Sequence, residues 1–175
     1  MKSRFLYVLI FASIISCAQK SNRDEAIKYY NSFSEIFEPF KMGTERFMRD
    51  SKRIVESRIK GPPGVLTRTD SIEAIRLIKD FESLSITTAT NLQSLKNFDG
   101  NNLNVDALNF VNSSTKLIKD AFGKVLFKDG DSLAKDKAKT IEELSLGVEN
   151  LINLNSEIRK SQTDFLKKYD IPIAD

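Results

Sequence analysis

The residue types that carry most protein chemistry are scarce in this chain, and the spacing of those present points away from catalysis. There is no histidine in 175 residues and a single cysteine, Cys17. Without an imidazole, the Ser-His-Asp and Cys-His arrangements, the usual zinc sites and the Glu-x-x-His pairs by which helical bundles hold two metal ions all fall away. One cysteine makes no intrachain disulfide and no redox pair. Carboxylates remain. Glu142 and Glu143 are adjacent, so on a helix they point to different faces and do not converge on one proton. Glu25, Glu35, Glu38 and Glu45 are interspersed with basic residues, as on a solvated helix face. The stretches "FKDGDS", with Asp129 and Asp131, and "NFDGNNLNVD", with Asp99, Asn101, Asn102 and Asp106, hold the oxygen ligands that calcium uses. Neither has EF-hand spacing, and both lack the bidentate Glu that closes such a loop. Turn and capping chemistry accounts for them. The expectation is a protein with no cofactor, no metal and no enzymatic activity.

The elements that position these residues read as helices. Glycine and proline punctuate the chain at "KGPPG" (60–64), "FDGNN" (98–102) and "KDGDS" (128–132), leaving four long segments beyond residue 23. The first three end just before Gly61, Gly100 and Gly130, the expected place for a left-handed residue closing a helix. Asp70 with Glu73, then Asn104, then Asp131 or Ser132 are the starting caps. In 24–58, Ala26, Tyr30, Phe33, Phe37, Phe40, Thr44, Phe47, Ser51 and Ile54 recur at spacings of four and three, a bundle seam. The register passes through Pro39, favouring one helix, with a break near 39–43 as the alternative. In 70–97 the seam is Ile75, Ile78, Phe81, Thr88, Leu92 and Leu95, flanked by Ile72 and Leu84. In 104–128 it is Leu108, Val111, Thr115, Ile118, Phe122 and Val125; in 132–169 it is Ala134, Ala138, Ile141, Leu144, Val148, Leu151, Ile158, Phe165 and Tyr169. No segment alternates with period two long enough for a sheet. The predicted fold is all-α, an antiparallel up-down four-helix bundle with a short tail at 170–175. Phe40, Phe47, Ile78, Ile118 and Val148, mid-seam, should be buried. Ser51, Ser85, Thr88, Thr115, Ser145, Asn155 and Gln162 fall on the seams and need polar partners if buried.

Helix lengths make a further prediction. At about 1.5 Å per residue the inner helices span roughly 42 and 37 Å and the outer ones roughly 52 and 57 Å, so the outer pair should overhang. The overhang would leave Tyr29, Tyr30, Ile158, Phe165, Leu166 and Tyr169 uncovered as a partner-binding or membrane-facing surface. Alternatively the tail folds back, with Ile171 and Ile173 filling the gap.

The first seventeen residues, "MKSRFLYVLIFASIISC", have a positive start in Lys2 and Arg4, then an apolar run over 5–15, then Ser16 before the cysteine. That is the layout of an export signal, and the run is shorter than the roughly 20 apolar residues that span a bilayer. "IISC" resembles the lipobox of bacterial lipoproteins, with an aliphatic residue at minus three and a small one before an obligatory Cys. The resemblance implies cleavage before Cys17 and acylation of its thiol and new amine. Ala18, where a retention signal often has Asp, implies the outer membrane. Cleavage would leave 159 residues, one domain with a short tether at 17–23, and 25 basic against 24 acidic residues instead of 27 against 24. Basic and acidic residues are mixed within short windows and no polybasic block exists, so nucleic acid is not an expected partner. Beyond residue 17 the chain resembles, in general outline, small helical surface lipoproteins without an assigned activity. The expected function is a lipid-anchored, non-enzymatic envelope lipoprotein that binds an envelope protein or spaces it from the membrane. A lipid-tethered carrier of a small apolar ligand is the alternative, and a carboxylate-only enzyme is the third reading.

Overall fold

The structure, a computed structural model, describes the backbone of residues 2–60, 66–127 and 130–172 and the side chains of 22–58, 66–127, 133 and 135–172. Among these residues all regular structure is helical and no strand forms. Four helices follow one another. Helix α1 is Lys2–Lys60 and α2 is Arg68–Ser94. Helix α3 begins as Leu103–Leu117, passes through a π-helical turn at Ile118–Phe122 and ends with an α-helical turn at Gly123–Phe127; α4 is Gly130–Lys168.

The α1 seam buries Ala26, Phe33, Phe37, Phe40, Thr44, Phe47, Ser51 and Ile54, all as the spacing predicts. One position differs: Tyr29 is buried and Tyr30 only half so, because the Tyr29 hydroxyl finds a buried partner. The helix runs unbroken through Pro39. Pro39 is exposed, and so is Glu35, whose carbonyl loses its helical partner to the missing amide, so the defect sits on the wet face. Gly43 has a packing role. A Cβ there would stand 2.3 Å from Leu84 Cδ2, so the bare backbone lets α2 approach closely.

The face of α2 differs from the one expected. Ala74, Leu77, Phe81, Ser85, Thr88 and Leu92 are buried, whereas Ile72 is 60% and Ile75 44% exposed and Ile78 is half-buried. Counting back from Phe81, the seam steps through the smaller Leu77 and Ala74. Helix α3 buries two stripes, including Leu103, Ala107, Phe110, Ser114 and Leu117 beside Val111, Ile118, Phe122 and Val125, because it has neighbours on both sides. Of the five mid-seam residues, Phe40, Phe47 and Ile118 are buried, and Ile78 and Val148 are half-buried. On α4, Ile141 and Ala138 are exposed, while Leu133, Thr140, Leu151, Ile158 and Phe165 are buried; the side chain of Ala134 lies outside the described residues.

Helix ends also depart from expectation. The N-cap of α2 is Thr67, whose hydroxyl accepts from the Asp70 amide (3.1 Å) and donates to the Asp70 carboxylate (2.9 Å). Asp70 and Glu73 instead form ion pairs with Arg53 of α1 (2.7 and 2.8 Å). Gly100 does not close α2, which ends at Ser94. With Asp99 (φ 51°) and Gly100 (φ 64°) both left-handed and the Asn101 amide donating to the Phe98 carbonyl, residues 98–101 form a type I′ turn. Gly130 opens α4 rather than closing α3. Gly61 and the side chains of Asp131 and Ser132 lie outside the described residues. At the other end of α4, Asp170 is left-handed (φ 51°), its amide donates to Lys167 and that of Ile171 to Leu166, a Schellman closure followed by Pro172.

Contacts thread the four helices together. Phe40 and Phe47 of α1 meet Phe81 of α2, and Phe37 and Phe40 meet Phe110 of α3. Phe47 also meets Phe122, and Arg58 donates to the Val125 carbonyl. Helix α4 packs mainly along α3, through Leu117 against Gly147 and the Lys124–Glu143 pair at 3.0 Å. A Cβ on Gly147 would stand 2.2, 3.2 and 3.3 Å from three side-chain atoms of Leu117. Gly147→Ala should therefore lower stability by about 1–2 kcal/mol, overpacking outweighing the roughly 1 kcal/mol gained in helix propensity. In a Leu117→Ala background the same change should become stabilising. Urea unfolding of the four members of this cycle checks the sign reversal.

Candidate functional site

The densest set of polar and aromatic side chains lies where the start of the α1 seam, the turn after α2 and the end of α4 come together. After Ser94 the chain leaves the helix in an extended conformation at Leu95 (φ −70°, ψ 112°) and carries Phe98 to this end. Phe98 stacks on Tyr29 at 5.7 Å between ring centroids and lies edge-on to Phe165 and Tyr169 at 6.2 and 5.4 Å. Phe165 also meets Tyr29, Tyr30 and Tyr169. Such ring pairs add about 0.5–1.5 kcal/mol each beyond the area they bury.

Two hydrogen-bond clusters organise the rings. The Tyr29 hydroxyl donates to Asn104 Oδ1 (2.9 Å), with Asn101 Oδ1 a second acceptor at 3.2 Å. The buried Asn104 amide donates in turn to the Leu95 carbonyl (2.9 Å) and the Leu92 carbonyl (3.4 Å). Asn104 was predicted to start α3; it lies in the first turn of that helix and caps the end of α2 instead. Asn101 accepts from the Leu103 amide (2.9 Å) and donates to the Phe98 carbonyl. Second, Asp99 accepts from Lys168 Nζ (2.7 Å) and from the Tyr169 hydroxyl, and Lys168 lies 5.3 Å from the Tyr169 ring centroid. Nearby, Ser161 donates to Asp106.

The electrostatics follow from these contacts. Hydrogen bonding from Lys168, then from Tyr169, holds the Asp99 carboxyl below its ordinary range, and the same bond raises Lys168. Burial pushes the hydroxyls of Tyr29, Tyr30 and Tyr169 up. Each phenol thus stays neutral, and three of the four oxygen ligands of the acidic turn, Asp99, Asn101 and Asp106, have protein partners as above, while the exposed Asn102 makes no side-chain capping bond. Asp129 and the side chain of Asp131 lie outside the described residues. Among the described residues no three His, Cys, Asp or Glu side chains gather as a metal site would require. The cluster does structural work. It fastens the end of α4 to the α2–α3 turn and to α1.

The predicted overhang is corrected by this arrangement. Tyr29, Ile158, Phe165, Leu166 and Tyr169 are buried and Tyr30 is half-buried. A non-helical residue can advance up to about 3.3 Å against about 1.5 Å in a helix, so the stretch 95–98, which leaves the helix extended at Leu95, carries Phe98 over the length that helices alone leave bare. Ile171 packs against the cluster as well; Ile173 lies outside the described residues. Cys17 is within α1, and its side chain is outside the described residues.

The larger surface depressions among the described residues include two that lie elsewhere. One, of about 520 Å³, is lined by Phe122 of α3 and Leu144, Ser145, Val148, Glu149 and Ile152 of α4. The other, of about 440 Å³, runs beside the π-helical turn, with Lys116, Asp120, Lys124 and Glu143 around Leu117 and Gly147. The sequence carries a signal for the first: Ala138, Ile141, Ser145, Val148 and Ile152 repeat at spacings of three and four, one residue out of phase with the Leu144, Leu151, Ile158 and Phe165 stripe. Read as one broad seam, the two stripes hide the outer one. No protein family, curated protein or solved structure matches this chain. Among the described residues no helix is long and apolar enough to cross a membrane.

Asn104→Leu should cost about 2–3 kcal/mol, since it strands the Leu95 carbonyl and removes the main acceptor of a buried hydroxyl, whereas Tyr29→Phe should cost about 1 kcal/mol. Denaturant unfolding at neutral pH separates the two. The Asp99 contacts add a pH dependence. A depressed carboxyl contributes stability above its unfolded value of about 3.9, and that contribution is lost as pH falls through the lower folded value. Raised Lys168 and Tyr169 contribute below about pH 10, and theirs is lost as pH rises through the folded values. Thermal midpoints of Asp99→Asn should lie below those of the parent from about pH 4 to about pH 10 and converge with them outside that window.

Proposed function

We propose that this chain is a bacterial lipoprotein, held at the envelope, in the outer membrane, by acyl chains on Cys17, and that it works there as a non-enzymatic interaction or spacer module. The observation that carries this reading is the opening sequence: Lys2 and Arg4, eleven residues of apolar run, and "IISC". Each buried acyl methylene contributes about 0.8 kcal/mol and one chain anchors only marginally, so the two or three chains a lipobox implies give lasting attachment.

In this reading the four helices form an antiparallel up-down bundle. Along α1 the partners on α2 and in the turn after it fall in number as those on α1 rise, Phe98 with Tyr29, Phe81 with Phe40, and Asp70 with Arg53. Residues 17–25 precede Ala26, the first buried seam residue, and belong to the same helix, so the tether becomes a rod of about 14 Å at 1.5 Å per residue. The end bearing Tyr29, Phe98 and Tyr169 then faces the membrane, and the Arg53 to Arg58 end faces away.

Cys17→Ser tests the anchor. The variant should move from the membrane to the soluble fraction, lose incorporation of labelled palmitate, and keep its helical circular dichroism, because Cys17 precedes the seam. Retention in the membrane fraction after removal of residues 1–16 would remove Cys17 as the anchor.

A further inference from the structure

The outer stripe of α4 is a long apolar row that, among the described residues, is left without a partner helix. Ile141 and Ser145 are exposed, Val148 is half-buried and Ile152 is 64% exposed, and they border the cleft floored by Phe122 and Leu144. The row keeps the three-four spacing of a helix-pairing seam over two heptads. Its neighbour one residue inward, with Leu144, Gly147 and Leu151, is the face applied to α3. Phe122 is itself backed by Phe47, so the floor is firm and the cleft need not open to receive a guest.

The charges beside the row say what fits it. In the register set by Ile141, Ser145, Val148 and Ile152, the solvent-side flanking positions are Glu142 and Glu149, one heptad apart. Both are exposed, or line the cleft, and neither has an ion-pair partner among the described residues. The other flank is the α3-facing stripe, Leu144 and Leu151. A second copy of this chain is a poor guest. Antiparallel self-pairing of the row sets Ile141 opposite Ile152 and Ser145 opposite Val148, which places Glu142 beside the second copy's Glu149, and parallel pairing sets Lys137 beside the second copy's Glu142 but leaves Glu149 against Leu144. A fatty acid would bring its carboxylate to the same acidic rim.

We propose that this cleft receives an amphipathic helix of another protein, apolar on one face and carrying Lys or Arg on the flank that meets Glu142 and Glu149. Helix-in-groove binding of this kind takes affinity from the apolar row and orientation from the flanking charges. The proposal rests on the interaction-module reading and names the surface and partner chemistry that reading lacks.

Two 21-residue helical peptides with the same leucine seam, one with lysine flanks and one with glutamate flanks, provide the probes. Each is titrated by fluorescence anisotropy with the full chain carrying Cys17→Ser, so that no acyl chain competes. The lysine-flanked peptide should bind at least tenfold tighter, and its affinity should fall as salt is raised. Ile152→Asp should weaken it at least tenfold with helical content and thermal midpoint unchanged, since that side chain is mostly in water. Joint Glu142→Lys and Glu149→Lys should reverse the preference. Failure of both peptides to bind, equal binding, or a preference that survives the double variant overturns the proposal. So does a dimer in sedimentation that Ile152→Asp abolishes, which would make the guest a second copy. Membrane release of Cys17→Ser is read separately, so a failed cleft and a failed anchor give different results.

Discussion

Everything in this fold leans on α1 staying one helix across Pro39. The rings of Phe33, Phe37, Phe40 and Phe47 lie on one line, and through them α1 touches α2 at Phe81 and α3 at Phe110 and Phe122. A proline inside a helix costs about 3 kcal/mol, and a break there would rotate Phe40 and Phe47 away from both partners. Burying a phenylalanine is itself worth about 1.5–3 kcal/mol, so the two rings beyond the proline outweigh the defect. Placing the proline on the exposed face keeps the cost to that of a hydrated carbonyl. Gly43, four residues later, is compensated differently, because the space it leaves is filled by Leu84.

How far the sequence could be read follows from the same packing. The α1 seam was legible because its residues are large aromatics at regular spacing, and only the choice between Tyr29 and Tyr30 depended on a distant partner, Asn104. On α2, apolar bulk misled. Ile72, Ile75 and Ile78 look more like core than Ala74 and Ser85, but the buried row is the one that continues through Phe81 at spacings of three and four, Ala74, Leu77, Phe81, Ser85, Thr88 and Leu92, and the isoleucines lie beside it. The two-sided burial of α3 was half legible. Its seam residues Val111, Ile118, Phe122 and Val125 are buried, but the π-helical turn at 118–122 has no sequence mark. The closed end could not be read from helix lengths, because it depends on Leu95 leaving the helix, a change of conformation rather than of composition.

Buried polar side chains follow a simple economy. Thr44, Ser85 and Thr115 donate to the carbonyl four residues back, and Ser51 to the one three back, so the seams admit hydroxyls without needing a ligand or another helix. Ser114 Oγ is the one buried side-chain oxygen or nitrogen among the described residues with no such partner. Asn104 is different in kind. It joins the α2 terminus to Tyr29 of α1 from a position on α3, and an amide with both donors and an acceptor is the side chain that can do so.

These two uses of polarity separate the molecule into a fastened end and an open side. At the end, three tyrosines, two phenylalanines and the Asp99–Lys168 pair close the space between α1, the α2–α3 turn and α4, with Tyr169 bonded to Asp99 and Tyr29 to Asn104. Ring surface that would otherwise be a sticky patch is covered. Along the side, α4 is applied to α3 through Gly147 and Leu151, and its next row, one residue around the helix, has no helix to meet. A bundle whose fourth helix turned that row inward would lose the Leu117 contact at Gly147, where no side chain stands in the way. The position of that glycine therefore fixes how α4 is rotated, and the rotation leaves Ile141, Val148 and Ile152 facing outward with Glu142 and Glu149 beside them.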